Sequence, residues 1–295
     1  MKRFLSRVLP LLLSFGLIFN CTGCSTVLVL AGKARENSEA SSSVISESSA
    51  SSGIISTPVP TEDGDLRAFY TDVANAESVT VMVYMIGSDL ESEDGSATDD
   101  LLEMADAALS ENIHLVLQTG GTETWWNDVC TDDESERFVI ENGDMTLLQS
   151  LGSMNMTDAD TLSDFIRFSA ESYPADRYEL ILWDHGGGTM TGFGYDELYE
   201  DTSLTLSSLS TALYNGGVQF DFIGFDACLM ATAEVAYALD PYADYLIASE
   251  ESEPGEGWAY KNWLTMLAED PAVPTAELGK KLADDFLEAY IFADM

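Results

Sequence analysis

An apolar run of strand character, Phe220-Asp221-Phe222-Ile223-Gly224-Phe225, stops at Asp226-Ala227-Cys228. Thr232 to Leu239, which follows closely, reads as a helix. A strand that feeds a helix is the unit of an open α/β sheet. Such sheets collect ligand and catalytic groups beyond the carboxyl ends of their strands. Cys228 is therefore expected at a functional edge, just before a helix N-terminus whose field favours thiolate. The plain alternative is an inert buried cysteine. A second strand end, upstream, weighs against it.

The same alternation recurs along the chain. Val79 to Met85 reads as a first strand entering Gly87-Ser88-Asp89, and helical spacing follows from Ala97 to Leu109. Ile113 to Gln118 is a second strand. Glu136 to Ile140 and Met145 to Ser150 flank Asn142-Gly143 as a hairpin. After a helix from Thr161 to Ser172 comes a core strand, Tyr178 to Trp183, ending in Asp184-His185-Gly186-Gly187-Gly188. A helix from Leu206 to Tyr214, a strand from Tyr245 to Ala248, and helices at Trp263 to Ala268 and Ala276 to Tyr290 complete the pattern. It predicts a mostly parallel sheet covered on both faces.

With 295 residues, 46% of them hydrophobic, the chain can build one large α/β domain. Its 52 acidic residues against 12 basic ones argue against a nucleic-acid partner and against electrostatic docking on anionic lipid. Residues 1–24 read as an export signal: Lys2, Arg3 and Arg7 precede an apolar run from Val8 to Phe19. The closing Thr22-Gly23-Cys24 is similar to a bacterial lipoprotein signal, which implies lipidation at Cys24, although Cys21 replaces the usual aliphatic residue. An uncleaved anchor from Val8 to Leu30 is the alternative. Residues 25–65, rich in Ser, acid and Pro, read as a tether. Two of the four cysteines lie in the leader, so no disulfide framework is expected.

If the strands before His185 and Cys228 are neighbours, both side chains emerge at one edge of the sheet. A thiol needs a base or an imidazolium nearby to be a useful nucleophile. Glycines after the histidine let backbone N–H groups approach a substrate oxygen. The other histidine, His114, sits mid-strand among aliphatics; two histidines make a zinc site improbable.

Leu182-Trp183-Asp184-His185-Gly186-Gly187-Gly188 and Gly224-Phe225-Asp226-Ala227-Cys228-Leu229-Met230 resemble the clostripain-like cysteine peptidases, relatives of caspases, legumains and gingipains. Tyr84 to Glu91 and Gly255-Glu256-Gly257-Trp258 add two more motifs in the right order. The resemblance implies a caspase-like three-layer α/β/α sandwich with a mostly parallel central sheet, occupying residues 66–295. It implies a His185–Cys228 dyad with no obligatory third member and an oxyanion hole formed by the N–H groups of Gly186 and Cys228. It also implies cleavage after Arg or Lys, which needs a carboxylate in the specificity pocket. Asp226 matches one such position and Glu256 is the second candidate; Glu250, Glu251 and Glu253 lie near enough to substitute. Asp184 is given no role.

No cofactor is required by this chemistry. Asp89, Glu91, Glu93, Asp94, Asp99 and Asp100 form an acidic cluster of the kind calcium binds, but its spacing misses the EF-hand pattern; the resemblance, which includes calcium-dependent relatives, implies calcium as an optional ion. No Lys or Arg lies between Arg177 and Lys261, so self-cleavage at a basic residue there is not expected. The domain is expected to continue beyond Met295. Two other readings stay open: a cell-surface binding protein that keeps the fold without turnover, and a glycosidase using paired carboxylates.

Overall fold

Helices on both faces of a sheet let its central strands be apolar on both sides, and that is how the strand runs are used. The computed structural model describes residues 28–32, 70–199 and 202–293. The elements are β1 (Leu28–Gly32), β2 (Val79–Ile86), α1 (Ser88–Ser92), α2 (Ser96–Ala105), β3 (Ile113–Gly120), β4 (Glu136–Glu141) and β5 (Asp144–Ser150). They continue as α3 (Ala159–Ser172), β6 (Arg177–Trp183), α4 (Gly188–Thr191), α5 (Leu206–Gly216), β7 (Phe220–Asp226) and α6 (Ala233–Leu239). Last come β8 (Ala243–Ser249), α7 (Tyr260–Glu269) and α8 (Thr275–Ala293).

The strand order is β1-β8-β7-β6-β2-β3-β4-β5. Strands β8, β7, β6, β2 and β3 run parallel. The antiparallel strands β1, β4 and β5 form the two edges. Every residue of β2 is buried, and its alternate side chains feed two cores. Val81, Val83 and Met85 share one with Met104 of α2, Trp263 of α7 and Leu282 of α8. Met82, Tyr84 and Ile86 share the other with Phe165 of α3, Leu213 of α5 and Val235 of α6. This is the three-layer sandwich expected from the sequence. Burying each large apolar side chain here contributes about 1.5–3 kcal/mol.

Local signals were mostly obeyed. Asn142 and Gly143 both adopt positive φ, 52° and 83°, the backbone a tight two-residue hairpin turn requires. Asp158 caps α3 by accepting from the Asp160 N–H. Helix α2 stops at Ala105, short of the expected Leu109, and residues 106–112 turn the chain into β3, with the Ile113 N–H on the Ser110 carbonyl.

Strand β1 lies inside the expected tether and was not read from the sequence. Its last residue, Gly32, pairs with Tyr245, while the Tyr70 and Thr71 N–H groups bond to the neighbouring Asp244 carboxylate. The chain thus leaves and re-enters the described fold at one end of β8. The export signal and Cys24 lie outside the described residues.

Strand β3 follows β2 on one side, whereas β6 lies on the other. That reversal makes the carboxyl ends of β2 and β6 a topological switch point, where connecting loops diverge and leave a crevice.

Candidate active site

Met85, Trp183 and Asp226 are in register across β2, β6 and β7. Because the three strands are parallel, the segments that follow them leave the sheet at one edge. Asp89 follows β2, His185 stands two residues beyond Trp183, and Cys228 stands two beyond Asp226. His185 Nε2 lies 2.7 Å from Asp89 Oδ1, with both side chains 44% exposed. A cavity of about 440 Å³ opens beside them, lined by Asp89, His185, Gly186, Gly187, Gly194 and Tyr195, among others.

Gly186 brings the histidine and cysteine segments together. A Cβ placed on it would stand 2.1 Å from the Cys228 carbonyl oxygen and 3.0 Å from Met230 Cγ, so only glycine permits the contact. The flanking bonds hold this loop without using the Gly186 N–H: Gly194 donates to the His185 carbonyl, and Gly187 donates to the Gly192 carbonyl.

Asp184 is buried and braces both sides of the cleft. Its carboxylate accepts from the Ser88 hydroxyl at 2.7 Å and from the Tyr195 N–H. Burial pushes its pKa up to about 7, against the opposing pull of His185 and these two donors.

Cys228 is partly exposed, and the segment after β8 crosses it. The Glu253 N–H donates to Cys228 Sγ at 3.2 Å, and Sγ lies 3.7 Å from the Glu253 carbonyl. Leu229 and Ala231 donate their N–H groups to the Glu251 and Ser249 carbonyls at 3.0 and 2.8 Å. Leu229 takes a left-handed backbone, φ 64°, to make this approach.

Beneath the thiol lies a buried acidic cluster. Asp226 Oδ2 accepts from the Trp258 N–H at 3.0 Å and the Tyr260 hydroxyl at 2.8 Å, while Asp100 Oδ2 accepts from Trp183 Nε1 at 2.6 Å. Gly257 is wedged between the two carboxylates: a Cβ there would stand 3.0 Å from Asp100 and 3.1 Å from Asp226. Burial raises the pKa of Asp100 well above normal and that of Asp226 to about 6. Among the described residues, no Lys or Arg forms an ion pair with either.

Of the candidates named from sequence, His185, Gly186, Cys228 and Asp226 converge. Glu256 instead sits exposed on the turn, and the carboxyl oxygens buried there belong to Glu253. Asp89, assigned to an acidic cluster, is the partner of the histidine. Its signal was the strand end Gly87-Ser88-Asp89, which only the β2–β6 pairing connects to His185. Glu91, from the same cluster, is taken up by the Thr98 N–H and hydroxyl and by the Trp126 N–H. No group of three or more His, Cys, Asp or Glu is placed to hold a metal among the described residues. Cys130 is a buried free thiol whose pKa burial raises to about 12.

Residues 83–293 match the model of the clostripain family. The chain is 29% identical over 217 residues to clostripain of Hathewaya histolytica, covering 62% of this chain and 41% of clostripain. A secreted C11 cysteine protease from Bacteroides thetaiotaomicron, solved with an irreversible peptide inhibitor, superposes with a TM-score of 0.60. Its identity is 24%, over 72% of this chain and 59% of that one. An inactive zymogen C11 protease from Parabacteroides distasonis superposes with a TM-score of 0.55 at 27% identity, over 72% and 58%. The chain therefore spans less than two thirds of the length of each of these relatives.

Proposed function

Because the chain belongs to the clostripain family, we propose that it is a cysteine endopeptidase acting through Cys228 and His185. The observation that carries this reading is their placement: in-register ends of adjacent parallel strands, with Gly186 packed on the Cys228 carbonyl. Asp89 occupies Nε2 of His185, which leaves Nδ1 to take the thiol proton. The thiolate sulfur then bonds to the scissile carbonyl carbon. The N–H groups of Gly186 and Cys228 receive the oxyanion. His185 delivers its proton to the amine nitrogen as the C–N bond breaks, leaving a thioester on Cys228. Water, deprotonated by His185, attacks the thioester; the C–S bond breaks and the proton returns to sulfur.

The specificity reading is cleavage after Arg or Lys. Asp226, with Asp100 beside it, places two acidic groups in a desolvated spot without a cation of their own, where a bound guanidinium or ammonium group would favour their ionised forms and pair with them. Glu256, exposed at the rim, is the outer carboxylate in this reading. The substrate class is a protein or peptide with basic residues, and self-cleavage between His185 and Cys228 is not expected. Export and lipidation at Cys24 would place the enzyme at the outer face of a bacterial membrane, and calcium remains an optional ion.

The test uses fluorogenic peptides ending in Arg, Lys, Asp or Asn, with and without calcium, on wild type, Cys228→Ala and Asp226→Asn. Arg or Lys cleavage lost in Cys228→Ala supports the nucleophile. Cleavage after Asp or Asn instead would sink the pocket assignment. Absence of any cleavage would favour a binding protein with the same fold.

A further inference from the structure

We propose that the segment Ser249–Gly257 is a strap closed over Cys228, and that Glu253 makes its opening a proton-releasing step. The inference rests on Cys228 being the nucleophile, but it does not depend on any substrate preference.

The geometry has two parts. Above, the strap is fastened by the Leu229 and Ala231 N–H bonds to Glu251 and Ser249, and it crosses the thiol with both the N–H and the carbonyl of Glu253. Its outer face is exposed at Ser252, Pro254, Gly255 and Glu256, and a side chain added at Gly255 would meet nothing within 4 Å. Below, Glu253 turns its carboxyl inward, where both oxygens are buried against Asp226 and Trp258.

The groups around that carboxyl are all acidic or neutral. They are Asp226 of β7, Cys228, Trp258, Tyr260 of α7, Tyr290 of α8, and, behind Asp226, Asp100 and Glu103 of α2. The indole of Trp258 is fully buried beside the carboxyl. A carboxylate buried without a cation among other acids is strongly disfavoured, so the closed strap holds Glu253 as the neutral acid. Burial first, then the charges of Asp226 and Cys228, raise its pKa to about 10.

When the strap lifts, Glu253 meets water and regains the ordinary glutamate value of about 4.3. Between these two values the closed form binds one more proton than the open form. Closure is therefore favoured at low pH, and the opening equilibrium rises by up to tenfold per pH unit.

The experiment measures the rate of Cys228 alkylation by iodoacetamide from pH 5.5 to 8.5, in wild type and in Glu253→Gln. Peptide mass mapping of the whole chain separates Cys228 from Cys130, Cys21 and Cys24. The thiolate fraction cancels in the ratio of the two rates, and Gln does not titrate. The ratio of wild type to variant should climb steeply, approaching tenfold per pH unit; a constant ratio would overturn the proposal. If Glu253→Gln does not fold, the wild type alone decides: below the thiol pKa its logarithmic rate should rise with a slope near two, and a slope of one overturns the strap. Peptide cleavage measured on the same samples separates the two ideas. A flat ratio with cleavage intact sinks the strap alone, whereas a climbing ratio without cleavage sinks the peptidase reading alone.

Discussion

His185 Nε2 stands 2.7 Å from Asp89 Oδ1, joining the ends of β6 and β2 across the point where the sheet order reverses. The pair is half exposed, so its attraction contributes at most about 1 kcal/mol to stability. Its weight falls on orientation. One ring nitrogen is occupied, which under the proposed mechanism leaves the other to take the thiol proton.

Asp89→Asn should therefore lower kcat by roughly tenfold to a hundredfold with KM little changed, since the shape is kept and the charge lost. Asp89→Glu should restore part of that loss. Steady-state kinetics on a basic fluorogenic peptide checks both, and an unchanged kcat in Asp89→Asn would remove Asp89 from the machinery.

Gly186→Ala places a methyl group 2.1 Å from the Cys228 carbonyl, so one segment must move. The displacement should cost about 1–3 kcal/mol of stability and nearly all turnover, because it shifts the proposed nucleophile and the proposed oxyanion donor together. Thermal unfolding and kcat/KM measured together give the answer. A fully active Gly186→Ala enzyme would contradict the close approach.

Buried acidic groups whose pKa is raised set the pH dependence of folding. Burial raises Glu179 to about 8, Asp184 to about 7 and Asp226 to about 6. Glu179 lies 3.2 Å from Arg177, yet neither of its oxygens receives a hydrogen bond. Each pKa is higher folded than unfolded, so the folded state holds protons that the unfolded chain has released. Stability is then lost as pH rises from about 4.5 to 8. Tm should be higher at pH 5.5 than at pH 8. Glu179→Gln should flatten part of that slope and raise Tm at pH 8, by calorimetry at matched ionic strength.

Strand β1 pairs with β8 along Leu28 to Gly32. The backbone amides of β1 that bond to β8 should exchange with deuterium at least tenfold more slowly than those of an unpaired peptide of the same sequence. Replacing both Val29 and Leu30 with proline should abolish that protection. Exchange at the unpaired rate in the wild-type chain would show that β1 is not docked in solution.

How much of this was legible beforehand follows from the range of the interactions. Asn142-Gly143 dictates its turn locally, and the double-sided burial of β2 is written in its unbroken apolar run. The motifs around His185 and Cys228 marked two strand ends, because each changes from apolar to glycine- or cysteine-bearing sequence within two residues. The sequence by itself thus determined the alternating α/β plan, the strand ends at which His185 and Cys228 stand, and the family. Only the tertiary structure decided that β2 lies beside β6, which turns Asp89 from one acid among 52 into the histidine's partner. It also decided that Glu253, not Glu256, turns its carboxyl inward and lies across the thiol. The physical reason is that strand ends are announced by local patterning, whereas the partner of a carboxylate is fixed by which strands become neighbours and which side of a turn is buried.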